Sequence, residues 1–152
     1  MDTVFTILRQ TRANVLALTR DLTPAQWLAV PTGRANHILW NVGHLAVTLE
    51  LLTYGRCGLD LPAAGSLLEA YRKGSGPDDG QGEADIEPAC TLLEAGVDRV
   101  EADYRAGVFG SFERYETSFG VPLTDIETAL QFNNVHEGLH LGVIMALKKA
   151  VA

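Results

Sequence analysis

The sequence predicts an all-α protein, a four-helix bundle with a long crossover between its second and third helices. Two observations carry that expectation. Four long stretches place apolar residues three or four positions apart, the period of a helix with one buried face. Between the second and third of them, from Gly55 to about Asp85, the period dissolves, and a connection of that length lets the helices on either side run parallel. The 152 residues suit one domain, residues 1–152, able to bury roughly two thirds of its unfolded surface.

The first helix is expected from Asp2 to Arg20. Val4, Leu8, Val15, Leu18 and Leu22 form its stripe, with Thr11 filling the gap, while Arg9, Arg12 and Arg20 take the opposite, solvated face. Thr23 followed by Pro24 has the form of an N-cap and first helical position, so Pro24 to Ala29 reads as a short turn of helix closed by Pro31, with Trp27 as a core plug. The second long helix is expected from the cap Asn36 to Tyr54, with Gly55 as its stop. Trp40, His44, Val47 and Leu51 share one face of it.

Ser66 to Arg72 could form a short helix, and Gly74 to Gly82 reads as a flexible acidic loop. Ala89, Leu93, Val97, Val100 and Tyr104 give a third amphipathic helix ending near Gly107, with Glu94, Asp98, Glu101 and Asp103 as a solvated face. Phe109 to Val121 is expected to be extended. Thr124 with Glu127 three residues later has the form of a capping box for the last helix, which continues to Lys148 and Lys149.

Composition narrows the function. Hydrophobic residues make up 47% and charged ones 20%, with a net charge of −7 and a pI of about 5.0. Such a surface repels a polyanion, which argues against nucleic acid and anionic membranes as partners. Cys57 and Cys90 lack CxxC spacing and read as reduced thiols. The segment from Met1 to Arg20 is too often interrupted by polar residues for a signal peptide, and no stretch has the length of a charge-free membrane span, so the expected compartment is the cytoplasm.

The chemistry concentrates in three histidines. His136 and His140 stand one turn apart on the last helix, on a stripe with Ala129, Phe132, Val143 and Leu147, the spacing at which two imidazoles can share one metal ion. In a bundle, His44 on the second helix can meet them across the core. Three neutral imidazoles leave an open position on a divalent ion, the arrangement of a catalytic site; the other reading of the same pattern is three hydrogen-bonded core histidines. His37 lies two turns, roughly 10 Å, from His44 and cannot join it on one ion; it reads as a first-turn histidine with one wet nitrogen. Asn41 and Asn133 precede His44 and His136 at the same N-x-x-H spacing and are candidates for orienting ligands or substrate. Gly43, Gly138 and Gly142 inside helices suggest close approach or room beside the site. The run from His136 to His140 also matches HExxH, which makes Glu137 a candidate general base, although at 100° from His136 it reads equally as a surface carboxylate, and no later metallopeptidase ligand follows.

The stretches Asn36 to Leu45 and Phe132 to Gly142 resemble the two signature segments of the DinB/YfiT-like family, and Tyr71 to Ser75 resembles a loop of its DinB-like branch. The resemblance spans nearly the whole chain. It implies an up-down-down-up four-helix bundle, frequently a homodimer, with a divalent ion, zinc or nickel, held by His44, His136 and His140. Characterised members of that family include thiol-dependent isomerases and transferases. The implied activity is therefore a metal-dependent S-transferase or related stress and detoxification enzyme acting on a small molecule, with a low-molecular-weight thiol as co-substrate. A metal-dependent hydrolase of the HExxH type and a non-catalytic metal-binding or ligand-binding bundle are the alternatives.

Overall fold

The first helix, α1 (Asp2–Thr19), buries a line of side chains that the sequence pattern only half announces. Phe5, Leu8, Arg12, Val15 and Thr19 face inward, so the stripe runs one position later than Val4 and Leu18 suggest. Arg12 is therefore in the core and not on the solvated face. The computed structural model that shows this describes residues 1–62, 67–77 and 79–152. A short α2 (Pro24–Leu28) follows, opened by a capping box between Thr23 and Gln26 and plugged into the core by Trp27.

The central element is α3 (Ile38–Leu52), apolar and buried on nearly every side. His37 is its N-cap, in place of Asn36: the extended backbone there lets its Nδ1 accept the Trp40 N–H at 2.9 Å. That bond takes His37 out of water, contrary to the wet nitrogen expected of it; the residue is 2% exposed. The helix ends at Leu52, and the chain passes through a 3₁₀ turn, Gly55–Cys57, before Gly58 reverses it at φ 69°. The next helix, α4 (Leu67–Tyr71), occupies most of the stretch where a short helix was expected; Ser66, its expected first residue, lies outside the described residues, as does Asp78 of the acidic loop.

A 20-residue helix, α5 (Ile86–Arg105), comes next. The segment before the last helix folds back on itself as a small antiparallel hairpin, β1 (Tyr115–Glu116) with β2 (Pro122–Leu123), instead of remaining a single extended run. The last helix, α6 (Ile126–Ala150), is capped by Asp125 and Thr128. Thr124 and Glu127 fail as a capping box because the chain enters the helix one residue later. Glu127 instead accepts a hydrogen bond from the Tyr104 hydroxyl.

Four long helices pack in a closed ring in which α1 and α3 each touch both α5 and α6. The cross-contacts fix their registers. Along α1 and α6 the contacts advance together: Asn134 donates to the Val4 carbonyl, Arg12 meets Glu137, and Lys148 donates to the Leu18 carbonyl. Between α1 and α5 they run oppositely, from Asp2 with Arg105 to Arg9 with Asp98. Glu50 with Arg99 and Tyr54 with Asp103 advance together from α3 to α5, whereas Asn41 with His140 and His44 with His136 run oppositely from α3 to α6. Among the described residues no helix is long and apolar enough to cross a membrane.

Candidate metal centre

The register of α3 against α6 decides what the three histidines can do. His44 comes from the middle of α3; His136 and His140 come from successive turns of α6. One ring nitrogen from each lies within 4.8 Å of those from the other two, close enough to hold one metal ion. The Nε2 atoms of His44 and His136 are 3.2 Å apart. Two nitrogens bound tetrahedrally to one zinc at its usual bond length would be separated by about 3.3 Å, so the spacing fits a shared ion.

Hydrogen bonds on the far side of two rings fix which nitrogen points inward. His44 Nδ1 lies 2.8 Å from the Tyr71 carbonyl, which can only accept, so the proton is on Nδ1 and Nε2 offers its lone pair. His140 Nδ1 lies 2.8 Å from Asn41 Oδ1. Asn41 spends its amide N–H on the His37 carbonyl, which leaves its oxygen to face His140 and puts that proton on Nδ1 as well. Asn41 thus sets the tautomer of His140 from the opposite helix. Thr48 Oγ1 is 3.4 Å from His44 Nε2, and the Trp40 ring stacks on His44 with an interplanar angle of 11°.

Gly43 has a concrete role. A Cβ built there would lie 2.4 Å from the Tyr71 ring, so only glycine lets that ring, and with it the carbonyl that orients His44, sit against α3. Gly138 and Gly142 do not share that role; a Cβ on either would meet open space.

Asn133 makes a hydrogen bond within the helix packing, and Glu137 lies in neither of its expected places. Asn133 does not reach a histidine; its amide donates to Glu137 Oε1 at 3.2 Å. Glu137 is neither on the surface nor beside the histidines' open side. It is completely buried, and its Oε1 receives both the Nε and Nη2 of Arg12, at 2.9 and 2.6 Å. The remaining Arg12 donors reach the Leu93 and Leu45 carbonyls, so this one side chain from α1 binds α3, α5 and α6 together. The deepest line of α6 passes through Ile126, Leu130, Asn133, Glu137 and Ile144, and the histidines stand half-buried beside it. Sequence reasoning missed Arg12; its signal was the spacing from Phe5 and Leu8 to Val15 and Thr19, into which it falls.

The half-buried side of the cluster opens on a cleft of about 290 Å³. His44, His136 and Thr48 stand at one end, Leu51, Leu52, Phe119 and Phe132 form apolar walls, and Arg56, Arg72 and Lys73 also line it. Burial holds the imidazoles neutral. His136 is pushed down to about 3, first by burial and then by His140, His44 and Arg12; His140 is pushed down to about 4 by burial and His44. His44 is lowered by burial, against the opposing Tyr71 carbonyl bond. Neutral imidazoles with inward lone pairs are the ligand form of histidine. His136 Nδ1 is buried with no hydrogen-bond partner among the described residues, which leaves that ring's tautomer free to adapt. The donor set therefore fits a borderline ion such as zinc or nickel.

No curated protein matches the chain closely enough to count as a relative. A family model does, over residues 7–144, from before Arg12 to beyond His140, and that model describes the DinB superfamily. With nearly its whole length and all three clustered histidines inside the match, the chain belongs to the DinB superfamily.

Proposed function

We propose that the chain is a divalent-metal-dependent enzyme with His44, His136 and His140 as ligands of one zinc or nickel ion, and that its reaction bonds a small thiol through its sulfur to an electrophile, the thiol's proton and any group the electrophile expels being released. The observation that carries this reading is the convergence of three neutral imidazoles beside a cleft large enough for a small molecule. A divalent ion bound there supplies a Lewis acid that lowers the pKa of a thiol or water on its open side. The chain's own residues do the rest. Tyr71 and Asn41 keep two rings aimed, Trp40 shields His44, and the apolar walls exclude water from the reacting groups.

The fold that accompanies this reading is the up-down-down-up bundle, supported by parallel contacts of α1 with α6 and of α3 with α5. A cytoplasmic setting, where small thiols stay reduced, agrees with free Cys57 and Cys90. A homodimer is also proposed. Val135, Leu139 and Met145 are 57%, 51% and 54% exposed on α6, with Gly138 and Gly142 between them and no charge in that stripe, a face that a second copy would cover. Light scattering should give the dimer mass for wild type and the monomer mass for Leu139→Lys; a wild-type monomer would end that proposal. The hydrolase alternative loses its base, because Glu137 is committed to Arg12 and does not line the cleft.

Metal content by mass spectrometry tests the central claim, on tag-free protein purified without chelator. Near-stoichiometric metal in wild type, lost in both His44→Ala and His136→Ala, is the expected result, followed by metal-dependent consumption of a low-molecular-weight thiol with an electrophile. Protein that stays metal-free after incubation with zinc and nickel would overturn the metal reading, and metal-loaded protein that turns over no thiol would overturn the transferase.

A further inference from the structure

We infer that the cleft selects an organic carboxylate, a small molecule with an apolar body and one anionic end, and that Arg56, Arg72 and Lys73 make the selection; the inference rests on the cleft being the substrate pocket of the enzyme proposed above. The chain carries 19 Asp and Glu against 12 Lys and Arg, yet three of those cations and none of the acids line this cleft. A net charge of −7 would by itself repel an anion. Local charge of the opposite sign reverses that field where it matters, because low-dielectric walls focus it.

Each cation has capacity left for a ligand. Arg56 lies over the Tyr115 ring at 4.4 Å and touches Glu113 only at 3.5 Å, which holds the guanidinium plane while leaving donors unused. Arg72 gives its Nε to Glu69 at 2.8 Å, which leaves its two terminal nitrogens as a fork that binds a carboxylate end-on. Lys73 has no hydrogen-bond or ion-pair partner among the described residues. Arg72 and Lys73 directly follow Tyr71, whose carbonyl bonds His44, so one short segment supplies both cations to the cleft and a hydrogen-bond partner to a histidine that lines it. Leu51, Leu52, Phe119 and Phe132 supply the apolar contact.

The test is calorimetric binding of phenylbutyrate, its neutral amide and the corresponding amine to the full chain, stripped of metal by chelator and, separately, loaded with zinc. The expected result on stripped protein is that the carboxylate binds about tenfold or more tighter than the amide, with a preference that shrinks as salt rises. In the Arg56→Gln, Arg72→Gln, Lys73→Gln triple variant the preference disappears while the amide binds as before. These three side chains are partly or largely exposed, and each single variant serves as well if the triple one does not fold. Equal affinity for the acid and the amide, tighter binding of the amine, or no binding of either at millimolar concentration would overturn the inference. So would a preference seen only with zinc and kept by the triple variant, because it would then come from the metal. Carboxylate selection by a protein that never takes up metal would sink the enzyme reading alone, and metal uptake without selection would sink this inference alone.

Discussion

At the scale of single residues, two amides with the same local sequence context do different jobs. Asn41 and Asn133 each precede a histidine by one turn, but only Asn41 meets an imidazole, His140 on the opposite helix. Removing a hydrogen-bond partner that orients a ligand typically weakens metal binding by roughly 10- to 100-fold. Asn41→Leu should therefore show that loss in a competition titration against a zinc-chelating dye, while Asn133→Leu should leave zinc affinity nearly unchanged. Equal losses in the two variants would remove the positioning role assigned to Asn41. Glu137 gives the complementary case. Truncating one partner of a buried ion pair leaves a charge in the core and costs about 3–5 kcal/mol, so Glu137→Leu should lower the denaturation midpoint sharply with metal stoichiometry in the folded fraction intact, and Arg12→Met in the same chain should recover much of the loss. A Glu137→Gln variant of undiminished stability that lost a hydrolytic activity would return Glu137 to the role of general base. The pairing of His136 with His140 was legible because i, i+4 spacing is a local property, and that His44 joins them, from 92 residues away, followed from the expected bundle and the family resemblance. The fate of Glu137 was not, because its partner Arg12 lies 125 residues away in sequence.

At the scale of elements, the sequence pattern located every long helix and erred at the ends and by one position of phase. Helix ends are set by whichever side chain reaches the first free N–H groups. Asn36 and His37 are both able to cap α3, and the extended backbone at His37 settles the choice. The same competition moves the cap of α6 from Thr124 to Asp125. The phase error in α1 has a different origin: an arginine on an apolar line is normally assigned to solvent, and only three neighbouring helices supplying acceptors make the buried position tenable. The junction of α3 with α4 yields a prediction at this scale. In Gly43→Ala the new methyl would sit 2.4 Å from the Tyr71 ring, which must shift and carry the Tyr71 carbonyl away from His44. Overpacking of this kind costs about 1–3 kcal/mol, and here the thermal destabilisation should come with weaker zinc binding. Gly138→Ala faces open space and removes a helix-interior glycine, so it should be neutral or slightly stabilising with zinc binding unchanged. If both variants behaved alike, Gly43 would have no special part in the centre.

At the scale of the whole molecule, the proposed ion and the protonation of its ligands must be linked through folding. In metal-free protein, burial and mutual proximity hold His136 at about 3 and His140 at about 4, and also lower His44, against an ordinary value of about 6.5 in the unfolded chain. Below about 6.5 the unfolded state therefore binds more protons than the folded one, and stability falls with pH across the window from about 6.5 toward 4 and then 3. Carboxylates with lowered values, such as Glu101 beside Arg9 and Arg105, begin to lose their contributions as the pH enters the usual carboxylate range, so they overlap the lower end of the histidine window and leave its upper part to the histidines. His37, also lowered by burial, acts equally with and without metal and cancels in the difference between the two forms. Bound zinc adds stability that grows as the logarithm of its concentration over its dissociation constant, about 2.7 kcal/mol at a hundredfold excess. Protons compete for these nitrogens in the folded protein only near their lowered values, about 4 for His140 and about 3 for His136, so that increment should hold from neutral pH to about 5 and shrink as the pH falls through about 4. Thermal denaturation of zinc-loaded and metal-stripped protein in parallel, at steps from neutral pH to about pH 3.5, measures it directly. A gap between the two midpoints that holds to about pH 5, closes as the pH falls through about 4, and is absent at every pH in His136→Ala, is the expected outcome. A gap that persists in His136→Ala would mean that zinc stabilises the fold through groups other than these histidines.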